Sequence, residues 1–586
     1  MSYYDPQGFA LEIFQKRYAR HRDETWLEAC DRVARHMAAA ETNGNVTKYG
    51  DEFADVLKKN LFFPGGRIWY GSGRPKAQLL NCFVIPTSDS REGWGKTLYD
   101  VVVISGTGGG VGTNYSATRP RGSKIEGTGG TASGAVSEMR MVNSIGDELR
   151  SGGSRRIALM MALNLNHGDI VEFLDAKLDK KELNNANVSV IFNEDPERFF
   201  DLVKQDLQME LKHNGKVVGS VSAKMLWQKI ISNALKGGEP GLLNGYFANR
   251  MSNIWYWKPL ICTNPCGEIW MPEYDCCDLG ALVLHRFLKD VAGKKQLDRK
   301  LLKYVIGLAV RFLDNVLTVN QYPMKEIQET CEQIRRIGLG VTGLGTLLRE
   351  LDLRYGSDES LEYVDDLMDF IKNCAYEASV DLAIEKGSFK VFDADKFLQS
   401  GFCKTLKPSL RAKIKKHGMR NCACLTLAPV GTGSMVCNCD SGIEDAFGPA
   451  NLRRFRDGEA LKEEVVVHPV FKRKYLAGED VSNFHSAWDL NIRDHFEMQR
   501  VCQKHIDNAV SKTINLPPGT SEQELSDLYM EYFPELKGVT IYPEGSRENQ
   551  PITPLSVADA IYHIEMGLAA EGATSGDSCR GGVCET

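Results

Sequence analysis

Asn264-Pro265-Cys266-Gly267-Glu268 places an amide, a thiol and a carboxylate at alternate positions of one short stretch. Pro265 fixes its own φ and disfavours helix at Asn264, and Gly267 permits a turn where a side chain would clash. In an extended or looped chain, alternate side chains point the same way. Cys266 is therefore predicted to stand between a hydrogen-bonding amide and a possible base. Because a lone cysteine is more often an inert buried side chain, the interpretation depends on the rest of the chain.

The composition limits the classes of function. The chain has 586 residues, enough for a large core and more than one structural unit. Its net charge of −6 gives no electrostatic basis for binding nucleic acid. It contains no apolar run near the ~20 residues that span a bilayer, and its N-terminus lacks a signal pattern. We therefore expect a cytoplasmic protein, whose 16 cysteines serve chemistry, metal binding or packing rather than a disulfide framework.

Hydrophobic periodicity indicates an α/β fold. Residues 9–60 show helical spacing and are predicted to form a helical cap on the main domain. Residues 79–85 form a mainly apolar run of strand length that contains Cys82. Apolar runs alternate with helical patterns across residues 157–260, which favours βα units and a largely parallel sheet. Further helices are predicted over residues 301–317, 361–383 and 496–510.

Three glycine-rich segments suggest contact with phosphate groups. They cover residues 105–112, 127–134 and 151–156. Backbone N–H groups and guanidinium groups both bind phosphate, which favours a polyphosphate site over mobile surface turns. Val111 stands where a dinucleotide fingerprint needs its third glycine, so that interpretation is weak. The arginines interleaved with these segments are Arg119, Arg121, Arg155 and Arg156.

Residues 421–435 are predicted to form a strand, a turn and the start of a helix. Backbone N–H groups of residues 431–435 would form an anion site at that helix start. The same region carries two C-x-C pairs, which fit packing on a strand as well as zinc binding. The cysteines of these pairs are Cys422, Cys424, Cys437 and Cys439.

The last 14 residues are small and glycine-rich, which predicts a flexible arm. Cys579 and Cys584 lie within it. Two thiols in so short a segment suggest a dithiol that visits another site, rather than a terminus with incidental cysteines.

Taken together, these motifs resemble the catalytic chain of a ribonucleotide reductase, and most closely the adenosylcobalamin-dependent class II enzymes. The resemblance runs from about residue 9 to the C-terminus. The motifs are specific only in combination. They are Asn81-Cys82, the glycine loops, Ser151-Gly152-Gly153-Ser154-Arg155-Arg156, Asn264 to Glu268, Cys277-Asp278-Leu279-Gly280, Ala428 to Ser434, Ser441-Gly442-Ile443-Glu444 and the tail dithiol.

The resemblance implies a role for each central residue. Cys266 would carry the thiyl radical that removes the 3′ hydrogen of a ribonucleotide, Glu268 would be the general base for the 3′ hydroxyl, and Asn264 would hold the sugar hydroxyls. Cys82 and Cys277 would face the other side of the ribose and become a disulfide. Cys579 and Cys584 would then reduce that disulfide by exchange, and an external dithiol protein such as a thioredoxin or glutaredoxin would reduce the tail.

Substrate and effector sites also follow from the resemblance. The substrate phosphates would be bound by the turn that contains Ala428, Pro429, Gly431, Thr432, Gly433 and Ser434. A specificity site for deoxynucleotide or ATP effectors at a dimer interface would involve Asp89, Arg119 and Arg121. The loop that relays effector identity would contain Ser151, Gly152, Gly153, Ser154, Arg155 and Arg156. The resemblance implies a homodimer and no resident metal.

The implied fold is a ten-stranded α/β barrel made of two parallel five-stranded halves, with the radical cysteine on a loop inside. The expected domains are an N-terminal helical region over 1–75, the barrel over 76–572 and the flexible tail over 573–586. No ATP-cone module is expected. Class I enzymes use two adjacent tyrosines in the strand near the C-terminus, but here Pro543 follows Tyr542. The remaining alternatives are a class I catalytic subunit and a redox-regulated phosphate-binding module without radical chemistry.

Overall fold

The computed structural model describes residues 2–42, 44–151, 155–178, 182–457, 460–482, 484–543, 552–568 and 570–571. The fold is mixed α/β with a helical N-terminal region. Three helices, Gly8–Arg17, Trp26–Ala38 and Asn45–Lys58, lie where the periodicity predicted them. Thr25 and Glu28 form a reciprocal capping box that starts the second helix, whose apolar face is buried.

The longer helices pack around two sheets. Arg299–Val319 and Asp358–Lys386 match the predicted helices over 301–317 and 361–383. Ile492–Gln503 ends earlier than predicted, because Val510 is extended and bridges Leu427. The other α-helices are Gly66–Gly71, Arg91–Gly106, Ala135–Glu148, Ile170–Asp175, Pro196–Lys204, Ala223–Gly237, Gly245–Met251, Lys325–Ile334, Leu344–Glu350, Ala394–Phe397, Pro408–His417, Thr432–Cys437, Pro469–Leu476, Glu522–Tyr532 and Val557–Glu565.

The larger sheet has eight strands, and five neighbouring strands in it are mutually parallel, as the βα alternation predicted. At one edge, Asp275–Cys277 pairs antiparallel with the first of the five. At the other, Gly538–Pro543 pairs antiparallel with the fifth and parallel with Thr513–Leu516. The five parallel strands are Cys82–Ile85, Gly110–Asn114, Leu159–Asn164, Ala186–Phe192 and Gly241–Asn244.

A second sheet continues directly from the first. Leu279–Val283 is separated from Asp275–Cys277 by the single residue Asp278, and it pairs antiparallel with Phe62–Pro64 and parallel with Gly338–Thr342. Two parallel bridges, Leu339 to Leu425 and Leu427 to Val510, extend this arrangement toward Thr513–Leu516. The strand that carries Cys277 therefore leads from one sheet into the other.

The remaining strands form small sheets at the periphery. The four-stranded one consists of Ile552–Leu555, Ala450–Asp457, Ala460–Val467 and Ala570–Glu571. The two-stranded ones pair Arg150–Ser151 with Arg155–Arg156, Gln208–His213 with Lys216–Ser222, Cys262–Thr263 with Trp270–Met271 and Leu288–Val291 with Lys294–Leu297. Within the described ranges, no helix is long and apolar enough to cross a membrane.

The first glycine-rich segment differs from its prediction. We predicted a phosphate-cradling loop over 105–112, but a helix ends at Gly106 and a strand begins at Gly110. A Cβ atom at Gly112 would lie 1.9 Å from the carbonyl oxygen of Thr263. The glycine is therefore required by close approach of two backbones, and not by a ligand.

Candidate functional site

The cysteine loop, residues 262–271, is a short antiparallel excursion. Cys262 pairs with Met271 and Thr263 pairs with Trp270. Gly267 adopts a φ of +84°, and no atom lies within 4 Å of where its Cβ would stand. The backbone conformation, and not a lack of space, therefore explains the glycine. This conformation turns the chain between Cys266 and Glu268.

The sheets and their connections hold the loop from several sides. Nδ2 of Asn187 donates to the carbonyl oxygen of Pro265 at 2.8 Å. The carbonyl oxygen of Glu268 accepts from Oγ1 of Thr426 at 2.6 Å and from the backbone N–H of Ala509 at 2.8 Å. Because these contacts come from different strands and segments, the loop is fixed as a rigid insertion between them.

Asn264 combines a structural bond with a polar group that could bind a ligand. Its Oδ1 accepts from the backbone N–H of Ile269 at 3.1 Å, which fixes the side chain across the loop. Within the part of the chain that the structure describes, its buried Nδ2 has no hydrogen-bond partner. A buried donor without a partner is costly, which suits a site that a ligand hydroxyl completes. Glu268, 2% exposed, is buried four residues further along the loop.

Cys82 and Cys277 are brought together by strand register. They are direct partners in the antiparallel pair of Cys82–Ile85 with Asp275–Cys277, which makes their thiols neighbours. Burial raises the pKa of the Cys277 thiol well above its ordinary value, and the neighbouring Cys82 thiol and Glu268 carboxylate raise it further. Cys277 is therefore held as a protonated thiol, which can donate a proton.

The thiol pair lies against the cysteine loop. A Cβ atom at Gly110 would be 3.0 Å from Cγ of Pro265 and 3.1 Å from Sγ of Cys82. The Cys82 sulfur and the Pro265 ring therefore approach the same point on the strand Gly110–Asn114. Cys266 itself is half-buried, and it lines a small cavity with residues that include Met160, Gln499 and Thr540.

The predicted phosphate turn faces the same interior. Ala428, Pro429 and Val430 line a cavity of about 60 Å³ together with Asn81, the neighbour of Cys82, and Gly280. The short helix Thr432–Cys437 follows, as predicted. Backbone N–H groups of Val430 and Gly431 donate to Oγ of Ser441, and those of Gly433 and Ser434 close the turn on Val430 and Gly431. The turn is therefore internally braced beside the thiol pair.

The predicted effector residues form ion pairs on the surface. Nε of Arg119 donates to Oδ2 of Asp89 at 2.8 Å, and the backbone N–H of Arg119 donates to Oδ1 at 3.0 Å. Arg121 instead pairs with Glu172. Ser151 lies in a two-stranded ladder with Arg155 and Arg156. Gly152, Gly153 and Ser154 lie outside the described residues, as do Cys579 and Cys584 of the tail.

The buried carboxyl group of Glu138 predicts how the stability of the protein depends on pH. Burial raises the pKa of Glu138 to about 7, although Oγ1 of Thr118 donates to its carboxylate at 2.6 Å. Between pH 4.5 and 7 the folded protein holds a proton there that the unfolded chain releases, so stability falls as pH rises. Glu138→Gln should abolish that fall and stabilise the protein at pH 8 by about 1–3 kcal/mol.

Chemical denaturation of both proteins at pH 5 and pH 8 measures this difference. Glu148→Gln, on the exposed side of the same helix, is the matched control and should leave the pH dependence unchanged. If stability fell equally from pH 5 to pH 8 in the wild type and in Glu138→Gln, the assignment of the pH dependence to Glu138 would be wrong.

Sequence reasoning missed the residues that position the loop. Asn187 and Thr426 belong to separate strands or segments without a signal for this role, and Gly112 was visible only as part of a glycine-rich segment that we interpreted as a phosphate loop. It also missed a cluster of possible metal ligands. Among the described residues, Asp275, Cys276 and Cys331 form the one such group, and it includes no cysteine of the C-x-C pairs. The C-x-C cysteines are buried free thiols, which fits the packing alternative.

Comparison with known proteins identifies the family. A model described as "Ribonucleotide reductase, barrel domain" matches residues 80–542, and one described as "Ribonucleotide reductase, all-alpha domain" matches residues 4–77. The chain belongs to the ribonucleotide reductase family. The sequence-based recognition of the family is therefore confirmed, and the helical N-terminal region of the reductase coincides with the second match.

Individual relatives of the reductase have informative names. The vitamin B12-dependent ribonucleoside-diphosphate reductase of Mycobacterium tuberculosis (strain CDC 1551 / Oshkosh) is 33% identical over 97% of this chain and 84% of its own length. The protein of the same name from Thermoplasma acidophilum is 32% identical over 92% of this chain and 71% of its own length. The ribonucleoside-diphosphate reductase subunit alpha of Chlamydia muridarum is 27% identical over 77% and 48%, respectively.

The close backbone approach at Gly112 gives a second test. Gly112→Ala should push the cysteine loop away from the strand, because its Cβ would overlap the carbonyl oxygen of Thr263. We expect the free energy of unfolding to fall by about 1–3 kcal/mol and the turnover rate to fall by at least about tenfold. Gly127→Ala is the control, since no atom lies within 4 Å of that Cβ position. Wild-type turnover by Gly112→Ala would show that the loop tolerates displacement.

Proposed function

We propose that the chain is an adenosylcobalamin-dependent ribonucleoside-diphosphate reductase, which converts ribonucleotides to 2′-deoxyribonucleotides for DNA synthesis. One observation carries the chemistry: Cys82 and Cys277 are register partners with neighbouring free thiols, beside a rigid loop that presents Asn264, Cys266 and Glu268. Reduction of a ribose carbon needs two electrons, and a neighbouring thiol pair supplies them by becoming a disulfide. The names of the relatives favour the cobalamin-dependent, diphosphate-using form.

The proposed reaction conserves atoms and electrons. The Cys266 sulfur radical takes the 3′ hydrogen of the ribose, and Glu268 accepts the proton of the 3′ hydroxyl as general base. Cys277, held protonated, gives a proton to the 2′ hydroxyl, which leaves as water. One thiol hydrogen leaves in the water and the other becomes the new hydrogen on the 2′ carbon, while the two sulfurs form the Cys82–Cys277 disulfide. Glu268 returns its proton to the 3′ oxygen, and the hydrogen on Cys266 returns to the 3′ carbon. Only sulfur suits this exchange, because an S–H bond is close in strength to a sugar C–H bond.

The residues around Cys266 fit an external radical source. Cys266 is half-buried at a small cavity, whereas most other described cysteines are buried, which favours Cys266 as the cysteine that meets an external group. Adenosylcobalamin, when bound, supplies a homolytically cleaved bond that creates the radical. Residues that line this cavity, such as Met160 and Thr540, would face the reacting end of the cofactor.

The remaining site assignments follow the same geometry. Asn264 Nδ2 would bind a sugar hydroxyl, and the braced turn over 428–434 would hold the phosphates at the other end of the cavity that includes Asn81. Asp89, Arg119 and Arg121, with the loop from Ser151 to Arg156, would form the specificity site for deoxynucleotide or ATP effectors.

We also propose that the two sheets close into a ten-stranded barrel. The parallel group of five joins Gly538–Pro543 on one side and Asp275–Cys277 on the other, both antiparallel. In the second half of the barrel, the segments around Leu425 and Val510 would be the further strands, because parallel bridges join Leu339 to Leu425 and Leu427 to Val510. We keep the proposed domain division into 1–75, 76–572 and 573–586; the family matches cover 4–77 and 80–542.

The proposed partners complete the cycle. A homodimer would place the effector site at its interface, and a thioredoxin-like or glutaredoxin-like dithiol protein would reduce the tail cysteines, Cys579 and Cys584. All described cysteines are free thiols, which fits a reducing cytoplasm.

Glu268 gives a direct test of the general base. Glu268→Gln keeps the shape of the side chain but removes the base, so kcat should fall by about 10²–10⁴-fold while the substrate KM changes little. Steady-state kinetics with a saturating cofactor measures both constants. Glu273→Gln is the matched control. Glu273 lies just after the cysteine loop, where its partly exposed carboxylate forms an ion pair with Lys258. A loss confined to KM would assign Glu268 to binding instead.

The function itself is tested by turnover of the four ribonucleoside diphosphates, with and without adenosylcobalamin and a chemical dithiol. We expect deoxynucleotide formation that requires the cofactor and no second protein. Activity that appears only with a separate metal-loaded subunit would favour a class I catalytic subunit. Binding of nucleotides without any reduction would favour a phosphate-binding module.

A further inference from the structure

A second pair of thiols lies behind the strand that carries Cys277. Sγ of Cys276 and Sγ of Cys331 are 2.9 Å apart, and both side chains are buried. Cys276 belongs to the strand Asp275–Cys277, and Cys331 belongs to the helix Lys325–Ile334. Because successive side chains of a strand point to opposite faces, Cys276 projects away from the Cys82–Cys277 pair. The two pairs are therefore separate and share one strand.

The two sulfurs are only slightly farther apart than the atoms of a disulfide bond. A disulfide bond is about 2.05 Å long. Non-bonded carbon atoms keep about 3.5–4.0 Å apart, and sulfur is larger. The thiols thus need to approach by less than about 1 Å to form a bond. Burial and the neighbouring Cys331 thiol raise the pKa of Cys276 well above its ordinary value, so the Cys276 sulfur is uncharged in the reduced protein, and a disulfide there is uncharged too.

Metal binding is the alternative use of this cluster. Asp275, Cys276 and Cys331 place ligand atoms within 4.8 Å of one another. However, Oδ2 of Asp275 accepts from Nε of Arg336 at 2.6 Å, and Oδ1 accepts from the backbone N–H of Cys276 at 2.8 Å. The carboxylate is therefore engaged, and the buried guanidinium opposes a cation. Tetrahedral Zn–S bonds of about 2.3 Å would also hold two sulfurs farther apart than 2.9 Å.

We propose that Cys276 and Cys331 are a site of reversible oxidation, which forms a disulfide when the protein meets a hydroperoxide. One thiolate attacks the peroxide, which breaks the O–O bond, releases water or an alcohol and leaves a sulfenic acid. The second thiol attacks that sulfur, the S–S bond forms and water leaves. The two thiols lose two electrons, and the hydroperoxide gains them. The bond ties the strand to the helix while Cys277 keeps its thiol.

This inference goes beyond the proposed reaction, because turnover oxidises the other face of the strand. An enzyme exposed to both substrate and peroxide would carry two disulfides attached to adjacent residues, Cys276 and Cys277. Since both side chains are buried and burial raises the pKa of the Cys276 thiol, oxidation of this pair should be slow at neutral pH.

Peptide mapping of the full-length reduced protein tests the proposal. The protein is treated with hydrogen peroxide in the absence of nucleotide, denatured, alkylated and digested with trypsin. Cleavage after Lys325 and Arg335 isolates Cys331 as the single cysteine of its peptide. We expect this peptide to be linked to the one that contains Cys276, and to be released by dithiothreitol. Cys30, which is buried elsewhere in the core, is the control thiol and should remain alkylatable.

Three variants identify the bonded partner, since the Cys276 peptide also contains Cys262, Cys266 and Cys277. The link should persist in Cys277→Ser and Cys82→Ser and disappear in Cys276→Ser. Full alkylation of Cys331 after peroxide treatment of the wild-type protein would overturn the proposal, with no variant needed. Purification with one equivalent of zinc that Cys331→Ser loses would also overturn it, in favour of a metal site.

Discussion

Cys266→Ser should lower kcat by at least about 10⁴-fold, since the substitution removes the one atom that can carry the radical. A serine O–H bond is too strong to exchange hydrogen with a sugar carbon, although the side chain is nearly the same size. The half-buried position of Cys266 allows the change without a large packing cost. Deoxynucleotide formation with saturating adenosylcobalamin measures the loss, and substrate affinity should stay near that of the wild type.

Cys262→Ala is the matched control for this experiment. Cys262 lies four residues earlier in the same loop and pairs with Met271, but its thiol is fully buried against the core. Its loss should lower stability and leave the chemistry intact. Turnover by Cys266→Ser at the rate of the control would eliminate Cys266 as the radical carrier.

Cys277→Ser should abolish multiple turnover, with a fall of at least about 10³-fold in kcat. The serine hydroxyl can still donate a proton, but it cannot form a disulfide with Cys82, so the two electrons for the reduction are missing. The steady-state rate with a dithiol reductant measures this effect. Thiol titration after one turnover should show that no disulfide forms between positions 82 and 277.

The adjacent cysteine gives an unusually close control. Cys276→Ser makes the same chemical change one residue earlier, on the face of the strand that meets Cys331. It should keep wild-type turnover, because its side chain does not face the cysteine loop. If Cys276→Ser lost turnover and Cys277→Ser retained it, the assignment of the catalytic thiol to Cys277 would be wrong.

The sequence predicted the helices better than the glycine-rich segments. The helices at Arg299–Val319 and Asp358–Lys386 follow directly from long apolar periodicity. The glycines at 110 and 112 look locally like a phosphate loop, but they lie in a strand against the cysteine loop. Composition alone cannot distinguish glycine needed for a ligand from glycine needed where two backbones meet.

Local sequence also could not show which cysteines meet in the folded protein. The motif after Cys277 separated it from Cys276 by resemblance, while the partnership of Cys276 with Cys331 had no local signal. The C-x-C pairs were visible in the sequence, yet the cluster of possible metal ligands formed elsewhere, from a strand and a helix.

By itself, the sequence determined the chemistry available in the cysteine loop, because Pro265 and Gly267 restrict the backbone locally and place Asn264, Cys266 and Glu268 in one turn. Only the tertiary structure decided which thiols meet. Cys82 contacts Cys277, and Cys276 contacts Cys331, through strand register and helix packing. Register depends on pairing between segments far apart in the chain, which no local conformational preference encodes.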